Sequence, residues 1–476
     1  MSGSTVFDSA PPDSAPFDRG AIEDALGSSR LYPFWQEDLG SPTFPRLVGA
    51  ASFDLVVVGG GYTGLWTALQ AKQRDPDARV GLVEAKRIGW AASGRNGGFC
   101  EASLTHGEVN GASRFPKELE QLTRLGDKNL DEIEQTVASL GWDCDFERTG
   151  TLSVATEEYQ VKELREAHDG VNEIFLDEQA VRAELDSPTY LAGLWSKRAT
   201  AMVHPGKLAR ELAKACADAG VEIFERTPVL GLAAGQSVEL HAGNGTLTAS
   251  RVALATNAFP SLLRRFQLHT VPVYDYVLMT EPLSAAQLGS IGWGNRQGVA
   301  DLGNQFHYYR ITADNRILWG GYDAIYHYGG RIRRSYEDRR ETFERLASHF
   351  FVTFPQLDGI RFSNRWAGVI DTSTRFCAFF GRAHGDRVSY AAGFTGLGVA
   401  ATRFAANVML DHLSGLTTER TSLEMVRSLP LPFPPEPAAY LGVQATRWAL
   451  NRADHNGGRR NLLLRTLDAA GLGFDS

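Results

Sequence analysis

The sequence predicts an α/β protein in which a Rossmann-like nucleotide-binding domain with a parallel sheet carries an inserted α+β domain with a mainly antiparallel sheet. Three observations predict this fold. An apolar strand runs into a glycine-rich turn and a helix over residues 53–69, a further apolar strand follows at residues 251–257, and the segment 274–328 is rich in alternating aromatic residues. The first two features are typical of dinucleotide-binding folds, and alternation is typical of antiparallel strands.

Length and composition limit the class of protein. The chain has 476 residues, of which 43% are hydrophobic and 22% charged, and its formal net charge is −8. This length predicts two or three domains, and the acidic balance argues against nucleic acid as a partner. The four cysteines form no CxxC pair, so we expect isolated reduced thiols in a cytoplasmic protein, and no metal site. No apolar run is long enough to predict a membrane span.

The glycine-rich turn reads Gly59-Gly60-Gly61-Tyr62-Thr63-Gly64. Gly59 permits a tight turn, Gly61 lets the backbone approach a pyrophosphate, and Gly64 lets helix and strand pack closely. The positive end of the helix then faces the phosphates. The next strand ends on Glu84, about 20 residues further along, where an acid accepts a hydrogen bond from a ribose hydroxyl. The pattern predicts a dinucleotide site.

Two further loops are rich in small residues. Ser93-Gly94-Arg95-Asn96-Gly97-Gly98 offers free backbone amides that suit a large planar ring, although a mobile surface loop is the alternative interpretation. Gly393-Phe394-Thr395-Gly396-Leu397-Gly398 precedes a helix predicted over residues 399–413. No Lys or Arg lies between Val388 and Thr402. We therefore expect the loop amides and the helix N-terminus to supply positive charge to a bound cofactor.

The aromatic segment contains the candidate catalytic residues. Strand alternation puts Phe306, Tyr308 and Arg310 on one side, and His307, Tyr309 and Ile311 on the other. One interpretation is an aromatic wall that suits an alkylamine by apolar and cation–π contact. Its members would be His307, Tyr308, Tyr309, Tyr274 and Tyr276. The other is that half of these rings pack between sheets. In the first interpretation, His307 or a tyrosine takes a proton from a substrate ammonium.

These stretches together resemble the D-amino-acid-oxidase (glycine oxidase/sarcosine oxidase) family of FAD-dependent oxidoreductases over about residues 50–415. The glycine turn with Glu84, the two glycine loops, and His204-Pro205-Gly206 before a helix carry the resemblance. Within the family, Arg316-Ile317-Leu318-Trp319-Gly320-Gly321 and Trp366-Ala367-Gly368 are most similar to the γ-glutamylputrescine oxidase branch.

The resemblance implies which residues bind FAD and which act on substrate. The implied cofactor-binding residues are Gly59, Gly61, Tyr62, Thr63, Gly64, Glu84, Ala85, Ser93, Gly94, Arg95, Asn96, Gly97, Gly98, Val229, Gly393, Phe394, Thr395, Gly396 and Leu397. Trp366 joins His307 and Tyr309 as a candidate catalytic residue. Some relatives tether the flavin through a cysteine, but Cys377 lies too far along the chain for that position, so we expect noncovalent FAD.

The implied reaction is oxidation of a CH–NH2 or CH–NH group of a γ-glutamylputrescine-like or other polyamine-type amine. Hydride passes to flavin N5, the imine is hydrolysed, and oxygen or another acceptor takes the electrons. The alternative is an oxidase or dehydrogenase of a small amino acid or N-methyl amino acid. That substrate requires an arginine for its carboxylate, for which Arg310 is the candidate. The sequence leaves the oligomeric state open.

The predicted domains interleave along the chain. Residues 1–50 form an N-terminal extension, flexible to about residue 28. Residues 51–145, 201–265 and 363–415 form the FAD-binding domain, and residues 146–200 and 266–362 the substrate domain. Residues 416–476 form an arginine-rich tail, expected as a solvated or subunit-facing helix.

Overall fold

The computed structural model describes residues 19–37, 39–40 and 42–473. Its helices are α1 (Arg19–Gly27), α2 (Tyr62–Arg74), α3 (Gly107–Arg114), α4 (Leu119–Leu140), α5 (Glu158–Ala167), α6 (Glu178–Glu184), α7 (Pro205–Asp218), α8 (Ala285–Ile291), α9 (Arg340–Thr353), α10 (Gly398–Leu413), α11 (Glu419–Ser422), α12 (Glu424–Arg427), α13 (Ala438–Asp454) and α14 (Leu462–Ala469). Its strands are β1 (Arg30–Leu31), β2 (Gly49–Val58), β3 (Val80–Val83), β4 (Phe99–Glu101), β5 (Thr151–Ala155), β6 (Glu173–Leu176), β7 (Ala192–Ser196), β8 (Thr200–Met202), β9 (Glu222–Phe224), β10 (Val229–Ala234), β11 (Val238–Ala242), β12 (Gly245–Leu254), β13 (Thr270–Thr280), β14 (Gly298–Asp301), β15 (His307–Ile311), β16 (Ile317–Gly321), β17 (Ile325–Tyr326), β18 (Phe362–Ser373), β19 (Phe379–Ala383) and β20 (Val388–Ala392).

The first sheet has eight strands and a parallel centre. Its order is β10-β11-β12-β2-β3-β9, with β20 paired to β12 and β19 to β20. On β2, Val56 pairs with Val252 on one side and with Gly81 on the other, both in parallel. Val56 and Val57 have no exposed surface, because apolar clusters cover both faces of the sheet. Burial on both faces explains the unbroken apolar run of β2 and confirms the predicted parallel sheet.

The second sheet has ten strands and is mainly antiparallel, as predicted. Its order is β1-β18-β13-β16-β15-β14-β5-β7-β6, with β17 paired to β13. The pairs β1–β18 and β14–β5 are parallel, and the others are antiparallel. Helix α9 covers one face, where its Phe343 and Phe350 share a core with Tyr276 and Trp319 of the strands. The other face of the sheet is left to border a cavity.

The chain passes between the two sheets several times. The strands β5–β7 and β13–β18 lie in the second sheet, and β9–β12 and β19–β20 in the first. The final return occurs later than expected. The predicted boundary at residue 363 falls within β18, which pairs with β13 (Trp366 opposite Val277), so the chain returns to the first sheet at β19. Both sheets use similar apolar strands, so the sequence does not mark this boundary.

The N-terminal extension is more ordered than predicted. Residues 1–18 lie outside the described residues, but α1 occupies positions assigned to a flexible leader. Its Ile22 and Ala25 pack into the second-sheet core. After α1, β1 adds to the edge of β18, with Arg30 opposite Asn364. A helix this short is stabilised by packing rather than by propensity, so composition alone does not predict it.

The last two helices of the C-terminal tail, α13 and α14, pack on each other through Ala449, Ala453 and Leu464. Their outer faces are exposed, as a solvated helix predicts. Their inner faces line the cavity between the sheets, which the sequence did not predict. In the described part of the chain, no helix is both long and apolar enough to cross a bilayer.

Candidate active site

The glycine turn joins β2 to α2 at one end of the cavity. Gly59 has a φ of +116°, and a Cβ there would lie 2.3 Å from the carbonyl oxygen of Ala255. A Cβ on Gly64 would lie 1.8 Å from the carbonyl oxygen of Gly59. Only glycine therefore lets this strand and helix approach each other. Gly61 faces Ser93, whose hydroxyl accepts a hydrogen bond from the Tyr62 amide at 2.9 Å.

Glu84 lies at the end of β3, beside the glycine turn. Its carboxylate accepts hydrogen bonds from the amides of Gly60 (2.8 Å) and Lys86 (2.7 Å) and from the Trp90 indole (3.0 Å). Burial raises the pKa of Glu84, and the two amide hydrogen bonds oppose that rise. The acid is thus held in one position at the cavity edge, where a ribose hydroxyl can donate to it.

The 93–98 loop is fixed by hydrogen bonds rather than mobile. The Trp35 indole donates to the carbonyl of Asn96 at 2.8 Å. Arg95 forms an ion pair with Glu337 at 2.8 Å and also donates to the carbonyl of Ala367. These contacts tie the loop both to the N-terminal extension and to the second sheet. The interpretation as a mobile surface loop is therefore wrong.

The second glycine loop leads into α10. The Gly393 amide donates to the Asp371 carboxylate at 2.6 Å, and burial raises the pKa of Asp371 to about 7. Gly396 has a φ of +91°, and a Cβ there would meet no atom within 4 Å. The loop thus presents its backbone to open space in the cavity. The sequence prediction missed Asp371, which is remote from the loop in sequence.

One cavity of about 1560 Å³ connects these parts. The predicted cofactor-binding residues that line it are Gly59, Gly61, Tyr62, Thr63, Glu84, Ala85, Ser93, Arg95, Asn96, Gly97, Val229, Phe394, Thr395, Gly396 and Leu397. Gly64, Gly94, Gly98 and Gly393 lie behind its surface, where a Cβ on each would come within 3 Å of neighbouring atoms. The continuous lining, the glycine turn and the placed acid fit an extended dinucleotide with a planar ring system.

The three predicted catalytic side chains do not line this cavity. His307 and Tyr309 are 0% and 1% exposed. Tyr309 packs with α9 in the core of the second sheet, and the His307 ring lies 2.9 Å from His349 of α9. Trp366 is 1% exposed, and its indole donates to the carbonyl of Arg95 at 2.9 Å. Their placement does not fit a direct catalytic role. The predicted alternation of side chains along β15 is correct. The face that carries His307 and Tyr309 packs in the core rather than on the cavity, because α9 covers it.

Tyr308, on the opposite face of β15, borders the cavity together with Asp275 of β13. The Tyr308 hydroxyl donates a short hydrogen bond to the Asp275 carboxylate. Glycines leave room for the phenol ring, since a Cβ on Gly97 or on Gly320 would lie 2.6 Å from a ring carbon. Phe99 packs edge-on against the ring at 5.8 Å. The sequence prediction missed Asp275, although its neighbours Tyr274 and Tyr276 were part of the expected aromatic wall.

Burial controls the charge of the acids in the cavity. It raises the pKa of Asp275 to about 6, while the hydrogen bond from Tyr308 opposes the rise. It also raises the pKa of Tyr308 well above its ordinary value, so the phenol stays protonated. Glu101 of β4 lines the same cavity, and burial raises its pKa to about 7. A carboxylate with a pKa near neutrality suits proton exchange with a substrate amine.

Arg310, the predicted partner of a substrate carboxylate, is 2% exposed and does not line the cavity. Its guanidinium donates to the carbonyl of Val203 at 2.6 Å and lies over the ring of Trp35. Burial lowers the pKa of Arg310 to about 10. The arginine therefore holds backbone together behind the 93–98 loop and does not support the amino-acid alternative.

Comparison with known proteins gives the family. The model of the DAO family, described as FAD dependent oxidoreductase, matches residues 54–411. γ-Glutamylputrescine oxidoreductase of Escherichia coli is 31% identical over 385 residues, covering 78% of this chain and 86% of that protein. The probable oxidoreductase OrdL of Haemophilus influenzae is 28% identical over 398 residues, covering 80% and 87%. The crystal structure of glycine oxidase from Geobacillus kaustophilus superposes with a TM-score of 0.65 at 19% identity, covering 79% of this chain and 99% of that one. The chain therefore belongs to the DAO family of FAD-dependent oxidoreductases.

Proposed function

We propose that this oxidoreductase oxidises a C–N bond of an amine carried on an alkyl chain, of the γ-glutamylputrescine or polyamine type. The observation that carries the proposal is the Asp275–Tyr308 pair in the cavity. It places an ionisable carboxylate where a substrate ammonium can bind. FAD, when bound, supplies the two-electron acceptor for the reaction.

The chain's own residues prepare the amine. An ammonium group has no lone pair to support loss of hydride from the adjacent carbon, so a proton must leave the nitrogen first. The Asp275 carboxylate attracts the cation and accepts that proton. Tyr308, held protonated, orients the carboxylate through its hydrogen bond. Water then hydrolyses the imine product.

Two further observations support an amine over an amino acid. The relative with 31% identity is named for γ-glutamylputrescine, an acylated diamine. Of the three arginines that line the cavity, Arg95 and Arg447 are paired with Glu337 and Asp323, at 2.8 and 2.6 Å, and the third, Arg264, is exposed. The Arg310 guanidinium bonds backbone carbonyls and does not reach the cavity.

We further propose that FAD is bound noncovalently, since Cys377 is buried in the core of the first sheet. We also propose a cytoplasmic, reducing location, which the four free thiols support.

Anaerobic mixing of the purified holoenzyme with polyamines, acylated diamines and amino acids tests the proposal. We expect amines to bleach the flavin absorbance and amino acids to leave it unchanged. Bleaching by small amino acids alone would overturn the proposal. Admitting air to the reduced enzyme and measuring hydrogen peroxide then shows whether oxygen is the acceptor.

A substitution at Gly396 tests the role of the second glycine loop. At a φ of +91° a valine is strained by about 1–3 kcal/mol. We therefore expect Gly396→Val to displace the loop amides and lower the flavin content or the flavin reduction potential. Gly398→Ala is the matched control, because its Cβ would make ordinary contact with Thr402 at 3.8 Å. A folded Gly396→Val protein with unchanged flavin content and reduction potential would show that groups other than these loop amides stabilise the negative charge of the reduced flavin.

A further inference from the structure

The C-terminal segment 431–473, which we term the strap, lies outside the segment that matches the family model. It contains α13 and α14 and borders the same cavity as the Asp275–Tyr308 pair. The two glycine loops, which are expected to bind the cofactor, do not explain why the strap borders the cavity.

The strap is attached to the second sheet by hydrogen bonds and an ion pair. The Asp454 carboxylate accepts from the amides of Asn304 (2.9 Å) and Gln305 (3.2 Å). Arg447 pairs with Asp323 at 2.6 Å. The side chain of Asp323 is 1% exposed and that of Arg447 is 28% exposed, so this ion pair is partly shielded from water and holds α13 against the sheet.

The end of the strap is attached to the side of the first sheet. Arg114 of α3 donates to the carbonyls of Gly471 and Gly473. At the start of the strap, the Thr374 hydroxyl donates to the carbonyl of Leu431 at 2.7 Å. The strap therefore spans from one sheet to the other and borders the cavity between its two attachments.

The two faces of the strap differ. Leu450 and Leu467 are half-buried and line the cavity. Leu441 and Leu462, on the same two helices, are 63% and 80% exposed. Leu450 packs against the small cluster that joins α13 to α14. Neither Leu450 nor Leu467 belongs to the core of either sheet, and both line the cavity. Apolar side chains that border an open cavity provide contact area for an apolar part of a ligand.

We propose that the strap forms the outer wall of the substrate chamber and selects amines by the length of their alkyl chain. This inference rests on the proposed amine oxidation, because it assigns the ammonium end of the substrate to Asp275 and the apolar chain to Leu450 and Leu467. The Asp275–Tyr308 pair and the two leucines line one continuous cavity. This arrangement suits a molecule with one charged end and one apolar end.

A series of n-alkylamines from propylamine to octylamine tests the strap. For the wild-type holoenzyme we expect kcat/KM for anaerobic flavin reduction to rise about fourfold per added methylene, until the chamber is filled. Leu450→Ser and Leu467→Ser should flatten this rise. Leu441→Ser and Leu462→Ser, the matched controls on the outer face, should keep the wild-type series. Inner variants that match the outer ones across the whole series would overturn the proposal.

A second ligand series separates the strap from the amine chemistry. n-Alkyl alcohols carry no ammonium and do not react, and their binding is followed by the change in the flavin absorption spectrum. If amines fail to reduce the flavin but alcohol affinity rises with chain length and falls in the inner variants, the proposed reaction is wrong and the strap assignment is retained. Alcohol affinity that is independent of chain length in the wild type would overturn the strap assignment. Flavin content and thermal unfolding of all four variants control for misfolding.

Discussion

Replacement of Asp275 by asparagine is expected to slow anaerobic flavin reduction by amines about 100- to 10,000-fold, the range of a lost proton acceptor. The amide cannot take a proton and gives no charge to attract an ammonium. Stopped-flow absorbance of the holoenzyme measures this rate directly. Tyr309→Phe is the informative comparison, since Tyr309 lies on the core face of the same sheet and bonds Tyr190. We expect Tyr309→Phe to retain the wild-type rate, and the opposite ranking of the two variants would restore the original prediction for Tyr309.

The same carboxylate predicts a pH dependence. Its pKa of about 6 means that the ionised, proton-accepting form is present above pH 6 and lost below it. We therefore expect kcat/KM to fall as the pH is lowered through about 6. The Tyr308 hydrogen bond lowers the pKa of Asp275, so Tyr308→Phe should move this step to higher pH, and Asp275→Asn should abolish it. A step that stays in place in the Asp275→Asn variant would assign the titration to another group, such as Glu101.

Replacement of Glu84 by lysine is expected to raise the Kd for FAD about tenfold, which corresponds to about 1.4 kcal/mol, and so to lower FAD occupancy. The change removes the acceptor for a ribose hydroxyl. It also leaves the Gly60 and Lys86 amides and the Trp90 indole without their common acceptor. Flavin absorbance per protein in the purified variant measures the loss. Glu84→Gln, which keeps one carbonyl acceptor, should show an intermediate occupancy. A Glu84→Lys protein that purifies with full FAD would contradict the assigned role.

The cofactor half of the site follows from local sequence, and the substrate half does not. Gly64 is required by a contact within one strand–turn–helix unit, where its Cβ would meet the carbonyl of Gly59, so a short motif predicts it. The alternation of β15 is also local, but which face meets the cavity depends on α9, a remote helix that buries His307 and Tyr309. Asp275 is a single acid within an apolar strand and has no local signal. Its pairing with Tyr308 exists only because β13 and β15 lie on either side of β16 in the second sheet.

The attachment of the N-terminal extension has a consequence for the order in which the chain acquires its structure. Trp35 holds the 93–98 loop, yet the extension itself is held by β18, where the Asn364 side chain donates to the carbonyl of Tyr32, 332 residues away in sequence. Contacts at such separation carry a large loop-closure cost and form late. During synthesis the ribosome must complete β18 before β1 has its strand partner. The 93–98 loop therefore gains its last contacts, those of Arg95 with Glu337 and Ala367, only after most of the chain has been made, and we expect FAD to be captured late in biogenesis.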